Sequence, residues 1–316
     1  MTSKPKGFAK IWREIKRPFR KMLVGDTVVP DEEKQNGGGK LPQLLRKIHN
    51  LEEVLLIGVL MGLSKLSGET MLRCDGIIHE LLFWDRCFSG YYNATFPGFY
   101  NDAISRLRPD SEVTGAHLDI LDELSRYFSA PDIAILDVGA GPLTVINKLY
   151  KGVRLNITAT DMLAEYYDSL LQKHGMEPPI RTKFCKGEEI STCFPKESFH
   201  WINAQNTIDH MEFPVECIKG MLPLLKPGGI VSLFHAVNEG EGENYSGFHQ
   251  WNFYADGSDF CIAGRNGKNF TNMSKMLLPN YSMEVKVTHA RLGNRDRDQI
   301  NVIIRHVTDV SCTEQI

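Results

Sequence analysis

The chain contains no apolar run of 18 residues, so nothing in it reads as a membrane-spanning helix. It has no C-x-x-C pair, and its seven cysteines are scattered and odd in number. That excludes a disulfide framework as the organising device and fits reduced thiols in a cytoplasmic protein. No excess of one charge is present either. A net charge of −3 and a pI near 6.4 give no footprint for nucleic-acid binding as a main task. The N-terminus is basic but lacks the apolar core of a signal peptide. Sequons such as those at Asn93 and Asn156 read as chance matches, because Asn156 falls in a core strand. What remains is ordinary for a globular protein of 316 residues, with 42% hydrophobic and 24% charged residues. It suits one large domain, or one domain plus an extension.

The informative stretch is Ile133 to Val145. The apolar run Ile133-Ala134-Ile135-Leu136 ends on Asp137 and Val138, followed by the turn Gly139-Ala140-Gly141-Pro142. Leu143, Val145, Ile146, Leu149 and Tyr150 then recur at helical spacing, which predicts a helix over 143–150. Strand, glycine turn and helix make a ligand-binding elbow. Glycine admits positive φ and a close backbone approach, and a helix start offers free N–H groups. A dinucleotide turn would need a third glycine where Thr144 stands. Asp137 lies two residues before the first glycine. A second acid, Asp161, closes the next strand at roughly the 20-residue spacing of a ribose-binding acid.

This D-x-G-x-G arrangement with a second acid resembles the motif of class I S-adenosylmethionine (SAM)-dependent methyltransferases. The resemblance implies SAM as cofactor, with Asp137 near its amino end and Asp161 on its ribose hydroxyls. Gly139, Ala140 and Gly141 would lie against it, and Met162 would pack on adenine. Further along, Phe83-Trp84-Asp85-Arg86, Glu177-Pro178-Pro179-Ile180-Arg181-Thr182, Asn206-x-x-Asp209-His210 and His249-Gln250-Trp251-Asn252-Phe253 resemble a bacterial set within that class. Thr207-Ile208 stands where that set has Ala-Leu.

Taken in order, residues 1–40 read as a basic arm and a flexible, glycine-rich linker. The arm, residues 1–22, interleaves lysines and arginines with Phe8, Trp12 and Phe19, a pattern suited to peripheral contact with an anionic membrane. A short helix packed on the body, or a tail, would give the same pattern. Residues 41–112 read as a helical cap and 113–310 as the SAM-binding domain. Within that domain strands are predicted at 133–138, 154–161, 181–185, 201–204, 230–237, 283–290 and 299–307. Helices are predicted at 117–128, 164–174, 214–225 and near 273–278, with a long loop over 238–272. The alternation predicts an α/β fold, a Rossmann-like class I methyltransferase sheet with an N-terminal helical cap.

Ligands of such sheets bind beyond the carboxyl ends of the strands. Glu188, after the third strand, is a candidate for the adenine amino group, and a solvated surface glutamate fits as well. After the fourth strand, Gln205 and Asn206 are candidates for the methionine portion of SAM. His210, with Asp209 beside it, is a candidate general base, with a structural histidine as the alternative; His249 is a second, with a rigid loop packed by its own aromatics as the alternative for its segment. Trp84, Arg86, Tyr245, Gln250 and Trp251 are the expected substrate wall, where aromatic faces would stack on a sugar and amides would bond its hydroxyls. Glu239, Glu241 and Glu243, with Asp209, could hold a divalent metal, but their alternate spacing matches no known site. No residue is therefore assigned as a metal ligand.

The expectation is a methyl transfer to a hydroxyl on a sugar, glycan or related small molecule. Rivals are N-methylation of a small molecule or peptide, a non-catalytic SAM-binding scaffold and, least fitting, a dehydrogenase.

Overall fold

A computed structural model describes residues 68–93, 97–292 and 295–307. The basic arm and linker at 1–40, the proposed membrane contact at 1–22, and the first part of the cap lie outside the described residues. Two compact units divide the chain, Met1–Ile78 and His79–Ile316. Of the first, only residues 68–78 are described; they belong to helix α1, Gly68–Phe88. No helix among the described residues is long and apolar enough to cross a membrane.

The second unit continues with α2, Pro97–Ser105, and α3, Ala116–Leu124. A seven-stranded sheet follows, built from β1 (Ala134–Val138), β2 (Asn156–Asp161), β3 (Thr182–Phe184), β4 (Phe199–Gln205), β5 (Leu225–Ala236), β6 (Tyr281–Leu292) and β7 (Arg295–His306). Helices α4, Ala164–Lys173, and α5, Pro214–Met221, cross between strands. The spatial order is β3-β2-β1-β4-β5-β7-β6. β1 to β5 run parallel, while β7 pairs antiparallel with both β5 and β6. The chain walks outward from β1 to β3, then returns to β4 on the other side of β1. That reversal opens a crevice at the carboxyl ends of β1 and β4.

β1 is apolar on both faces because both are covered. Leu136 and Val138 pack into one cluster with Ile202, Val231 and Leu233. Ile133 and Ile135 pack into the other with Trp201, Ile230 and Phe234. Buried polar groups cross the sheet in register. Asp137 lies abreast of Asn203, and Asn203 abreast of Ser232. Asn203 Nδ2 donates to Asp137 Oδ1 at 2.8 Å, Ser232 Oγ to Asn203 Oδ1 at 2.9 Å, and Trp201 Nε1 to Ser232 Oγ at 2.8 Å. Each member has a partner, so this polar thread fixes strand register without an orphaned group.

Three expectations are corrected. Residues 143–148 are not helical, and Leu149–Tyr150 form a short ribbon with Val153–Arg154. Thr144, Val145 and Ile146 are β-branched and resist helix. The Thr144 hydroxyl also takes the Ile146 N–H at 3.2 Å, and the Lys148 and Leu149 N–H groups bond Ser111. Next, the predicted loop at 238–272 contains the hairpin Trp251–Asp256 and Asp259–Gly264, turned at Gly257-Ser258 with Gly257 at φ +61°. Glycine at the first central position suits that two-residue turn. Finally, Cys185 and Cys193 form a disulfide, whereas Cys217 and Cys261 are buried thiols.

Candidate active site

The elbow after β1 is fastened to β2 rather than to a helix. Ala140 N donates to Thr160 O at 2.9 Å, and Gly141 N to Asp161 Oδ2 at 3.1 Å. Gly139 and Gly141 have φ of +66° and +62°, a backbone region that glycine enters without strain. Each glycine also makes room for a neighbour. A methyl on Gly139 would collide with the Thr207 side chain, and one on Gly141 would press on the Trp84 indole at 3.2 Å.

The two acids of the motif take different places. Asp137 is buried beneath the elbow, accepting from Thr144 Oγ1 at 2.6 Å as well as from Asn203. Burial pushes its carboxyl upward, opposed by those two bonds. It shapes the turn from below. Asp161 closes β2 at the crevice, its Oδ1 accepting from Leu163 N at 2.8 Å. Burial, with the nearby Glu80 charge, pushes it up to about 6. Met162 follows it, half-buried.

The end of β4 carries the densest chemistry. Asn206 has φ +48°, with its N–H on Phe234 O at 2.9 Å, and the 3-10 turn Ile208–His210 follows. Asp209 is buried. Its Oδ2 lies 2.9 Å from His249 Nδ1 and 3.5 Å from His210 Nε2, and its Oδ1 lies 3.7 Å from His235 Nδ1. His210 Nε2 and His249 Nδ1 are 3.2 Å apart. Burial pushes the Asp209 carboxyl up, but the surrounding imidazoles outweigh it and hold the group well below the usual carboxylate range. Burial pushes His249 down, yet Asp209 and then Glu239 raise it on balance. Buried His235 is lowered. The turn that carries Asp209 and His210 follows β4, the strand that pairs with β1 and its elbow.

The expected substrate wall has another task in part. Trp251 Nε1 donates to Met211 O at 2.8 Å, the Gln250 N–H reaches Asp209 O at 3.4 Å, and Gln250 Nε2 bonds Tyr245 O and Gly247 O at 2.9 Å each. Tyr245 OH accepts from Asn252 Nδ2 at 2.8 Å. These residues bind the hairpin and its lead-in loop together and hold His249 on Asp209. Trp84 is buried against Gly141 and donates from Nε1 to Glu80 Oε1 at 2.9 Å. The Arg86 guanidinium lies 5.6 Å from the centre of the Tyr91 ring. Glu188 Oε1 accepts from Glu212 N at 2.9 Å, which turns it toward the start of α5. Glu239 and Glu243 face Arg297 at 2.9 and 3.6 Å while Glu241 is exposed, so the alternating acids do not converge. An open cleft of ≈ 550 Å³ lies along Asn238, Glu241, Glu243 and Arg297.

Several residues carry no sequence signature. Arg106 donates from Nη1 to Leu143 O at 3.4 Å and lies 6.0 Å from the Trp84 ring centre. His117 bonds Gln205 and is lowered to about 4 by burial, so it is neutral near pH 7. Glu80 also accepts from Tyr167 OH at 3.3 Å, and Lys148, buried, donates to Ile146 O at 2.6 Å.

Residues 135–229, from β1 to the turn inside β5, match the family model described as a methyltransferase domain. No curated protein sequence matches the chain. Similar solved structures include a trans-methyltransferase, CalH, in complex with SAH, at 17% identity over 56% of this chain and 52% of that one, with a TM-score of 0.40. The DhpI–SAH complex has 15% identity over 73% and 97%, with a TM-score of 0.36. A Burkholderia thailandensis 1,6-didemethyltoxoflavin-N1-methyltransferase has 15% identity over 69% and 84%, with a TM-score of 0.35. The chain thus spans about half the length of CalH, 52%. The sheet has a Rossmann-like strand order, and residues 135–229 are similar to a methyltransferase domain.

Proposed function

We propose that this chain is a SAM-dependent methyltransferase whose acceptor is a hydroxyl on a small molecule, of the sugar, glycan or related-metabolite kind. The observation that carries the reading is the juxtaposition of Asp161 with the Gly139–Gly141 elbow at the point where the sheet order reverses. SAM supplies an activated methyl on a sulfonium. Asp161 accepts from the ribose hydroxyls, with Met162 flanking adenine. The glycine elbow leaves room for the adenosyl chain, and Gln205, Asn206 and Arg106 supply polar and cationic contacts for its amino-acid end.

The Asp209-anchored histidines activate the acceptor. A hydroxyl is a weak nucleophile until its proton leaves, and an imidazole is suited to draw it off. In the step itself the oxygen–carbon bond forms as the carbon–sulfur bond breaks, and the electron pair stays on sulfur. The acceptor's proton leaves toward the His210–His249–Asp209 cluster. Alignment of the hydroxyl with the methyl supplies much of the acceleration.

Incubation of the purified chain with methyl-labelled SAM and fractionated cell extract tests the reading. A labelled, base-stable ether product is expected. Label on nitrogen would replace the hydroxyl acceptor with an amine. SAM binding without any S-adenosylhomocysteine formed would leave only a binding protein. Tighter binding of NAD than of SAM in parallel calorimetry would end the methyltransferase assignment.

A further inference from the structure

We infer that Asp209, His210 and His249 form a binding site for one first-row divalent transition-metal ion. Their donor atoms make a small triangle, Asp209 Oδ2 to His249 Nδ1 at 2.9 Å, His249 Nδ1 to His210 Nε2 at 3.2 Å and His210 Nε2 to Asp209 Oδ2 at 3.5 Å. Donors held at about 2.0–2.1 Å from one ion, at right to tetrahedral angles, stand roughly 2.8–3.4 Å apart. Two edges of the triangle, 2.9 and 3.2 Å, lie in that range, and the third, 3.5 Å, lies just beyond it.

A His249 Nδ1–H that donates to Asp209 Oδ2 leaves the 3.2 Å contact with His210 Nε2 without a hydrogen of its own. His249 Nδ1 faces a carboxylate oxygen and a second imidazole nitrogen, and its one possible N–H can serve only one of them. A shared cation satisfies all three lone pairs together. The three donors lie within 4.8 Å of one another, with Asp209 buried and both histidines partly open. Side-chain exposures of 3% for Asp209, 21% for His210 and 30% for His249 leave one side of the triangle closed and the other accessible. An open side is what a catalytic ion needs and a structural one does not.

Groups behind the triangle support it. Glu239 Oε1 stands 4.0 Å from His249 Nδ1 and is oriented by Arg297 at 2.9 Å. His235 is buried, neither of its ring nitrogens has a hydrogen-bond partner, and Nδ1 points at the other Asp209 oxygen from 3.7 Å. Two imidazoles and one carboxylate favour Zn²⁺, Co²⁺ or Fe²⁺ over Mg²⁺ and Ca²⁺, which take oxygen ligands.

The site deepens the proposed function and rests on it for its chemistry only. It refines that reading: with His210 and His249 as ligands, the cluster would activate the acceptor hydroxyl by coordinating its oxygen, and the proton assigned above to the histidines would pass to water instead. Metal binding itself does not depend on SAM.

The test uses the untagged full chain, stripped with a chelator and titrated with Co²⁺ alone, read by visible absorption and calorimetry. One Co²⁺ per chain is expected, displaced by Zn²⁺. His249→Gln and Asp209→Asn should each weaken binding at least tenfold, while the exposed control His289→Gln should bind as the wild type does. Circular dichroism checks folding. Should Asp209→Asn fail to fold, the half-exposed position His249 decides. No Co²⁺ uptake by the wild type, or unchanged affinity in His249→Gln, overturns the inference. SAM calorimetry on the same stripped protein separates the two proposals. SAM binding without Co²⁺ binding removes the metal site alone, and Co²⁺ binding without SAM binding removes the methyltransferase reading alone.

Discussion

Asp209 and His249 lie forty positions apart in the chain and meet with Oδ2 2.9 Å from Nδ1. The contact joins the end of β4 to the segment just before the inserted hairpin. Either residue alone is a polar group in a loop; together with His210 they form a cluster of three ionisable side chains beyond the end of β4.

The first prediction follows from that pairing. His249→Gln and Asp209→Asn should cut the rate of S-adenosylhomocysteine formation with the true acceptor by about 10²-fold or more, the usual scale for loss of an activating group. The dissociation constant for SAM should stay within a few-fold of wild type, because neither side chain belongs to the elbow. Calorimetry and a coupled turnover assay give the two numbers. A parallel loss of SAM affinity would show that the cluster shapes the cofactor pocket instead.

The elbow gives a second. Gly139→Ala forces an L side chain into φ +66° and drives its methyl into Thr207. Left-handed backbone costs about 1–2 kcal/mol for a non-glycine residue, and overpacking about 1–3 kcal/mol more. Gly152→Ala, at φ +78° with open space around it, carries only the backbone cost. Thermal melting should therefore rank wild type above Gly152→Ala above Gly139→Ala, and only Gly139→Ala should lose SAM affinity.

How much of this was legible in the sequence depends on range. The Ile133–Val138 run, the glycine elbow and Asp161 were readable because each is a local pattern set by burial or turn geometry. The helix expected at 143–150 was not, since apolar spacing there imitates a helix while Thr144 diverts the backbone. The hairpin at 251–264 did carry a signal, Asp256-Gly257-Ser258-Asp259 between aromatic strands, but the polar residues around it read as loop. His210 and Asp209 stood out as neighbours. Their partnership with His249 and His235 did not, because it arises from strand order. The tasks of Gln250 and Trp251 were hidden for another reason. Their partners are backbone carbonyls, which leave no trace in side-chain composition.

That last point makes a third prediction. Trp251→Phe keeps the apolar packing but removes the bond from Nε1 to Met211 O. The loop carrying His249 then loses one tie to the β4 end. Turnover should fall by about 3- to 10-fold, since small misplacement of an activating group is costly, while SAM affinity and the thermal midpoint stay close to wild type. Equal losses in all three would mark Trp251 as merely structural.

Asp161 supplies the fourth prediction. Burial raises its folded-state pKa to about 6, above its ordinary value of 3.8. Between those values the native state binds more protons than the unfolded chain, so the stability of the free protein falls as pH rises through that window. Below about pH 4 the group is protonated in both states and its contribution is flat. Asp161→Asn cannot titrate and lacks this slope. The stability of wild type minus that of Asp161→Asn should therefore shrink as pH is raised from 4 to 6.5 and level off above it. The comparison cancels the other carboxylates, including Asp209, whose shift runs the opposite way. Denaturant melts at half-unit pH steps measure the difference. A difference that grows with pH would mean that the backbone N–H groups of Gly141 and Leu163 hold the carboxylate charged more strongly than burial opposes it, and Asp161 would then meet a ligand as a permanent anion.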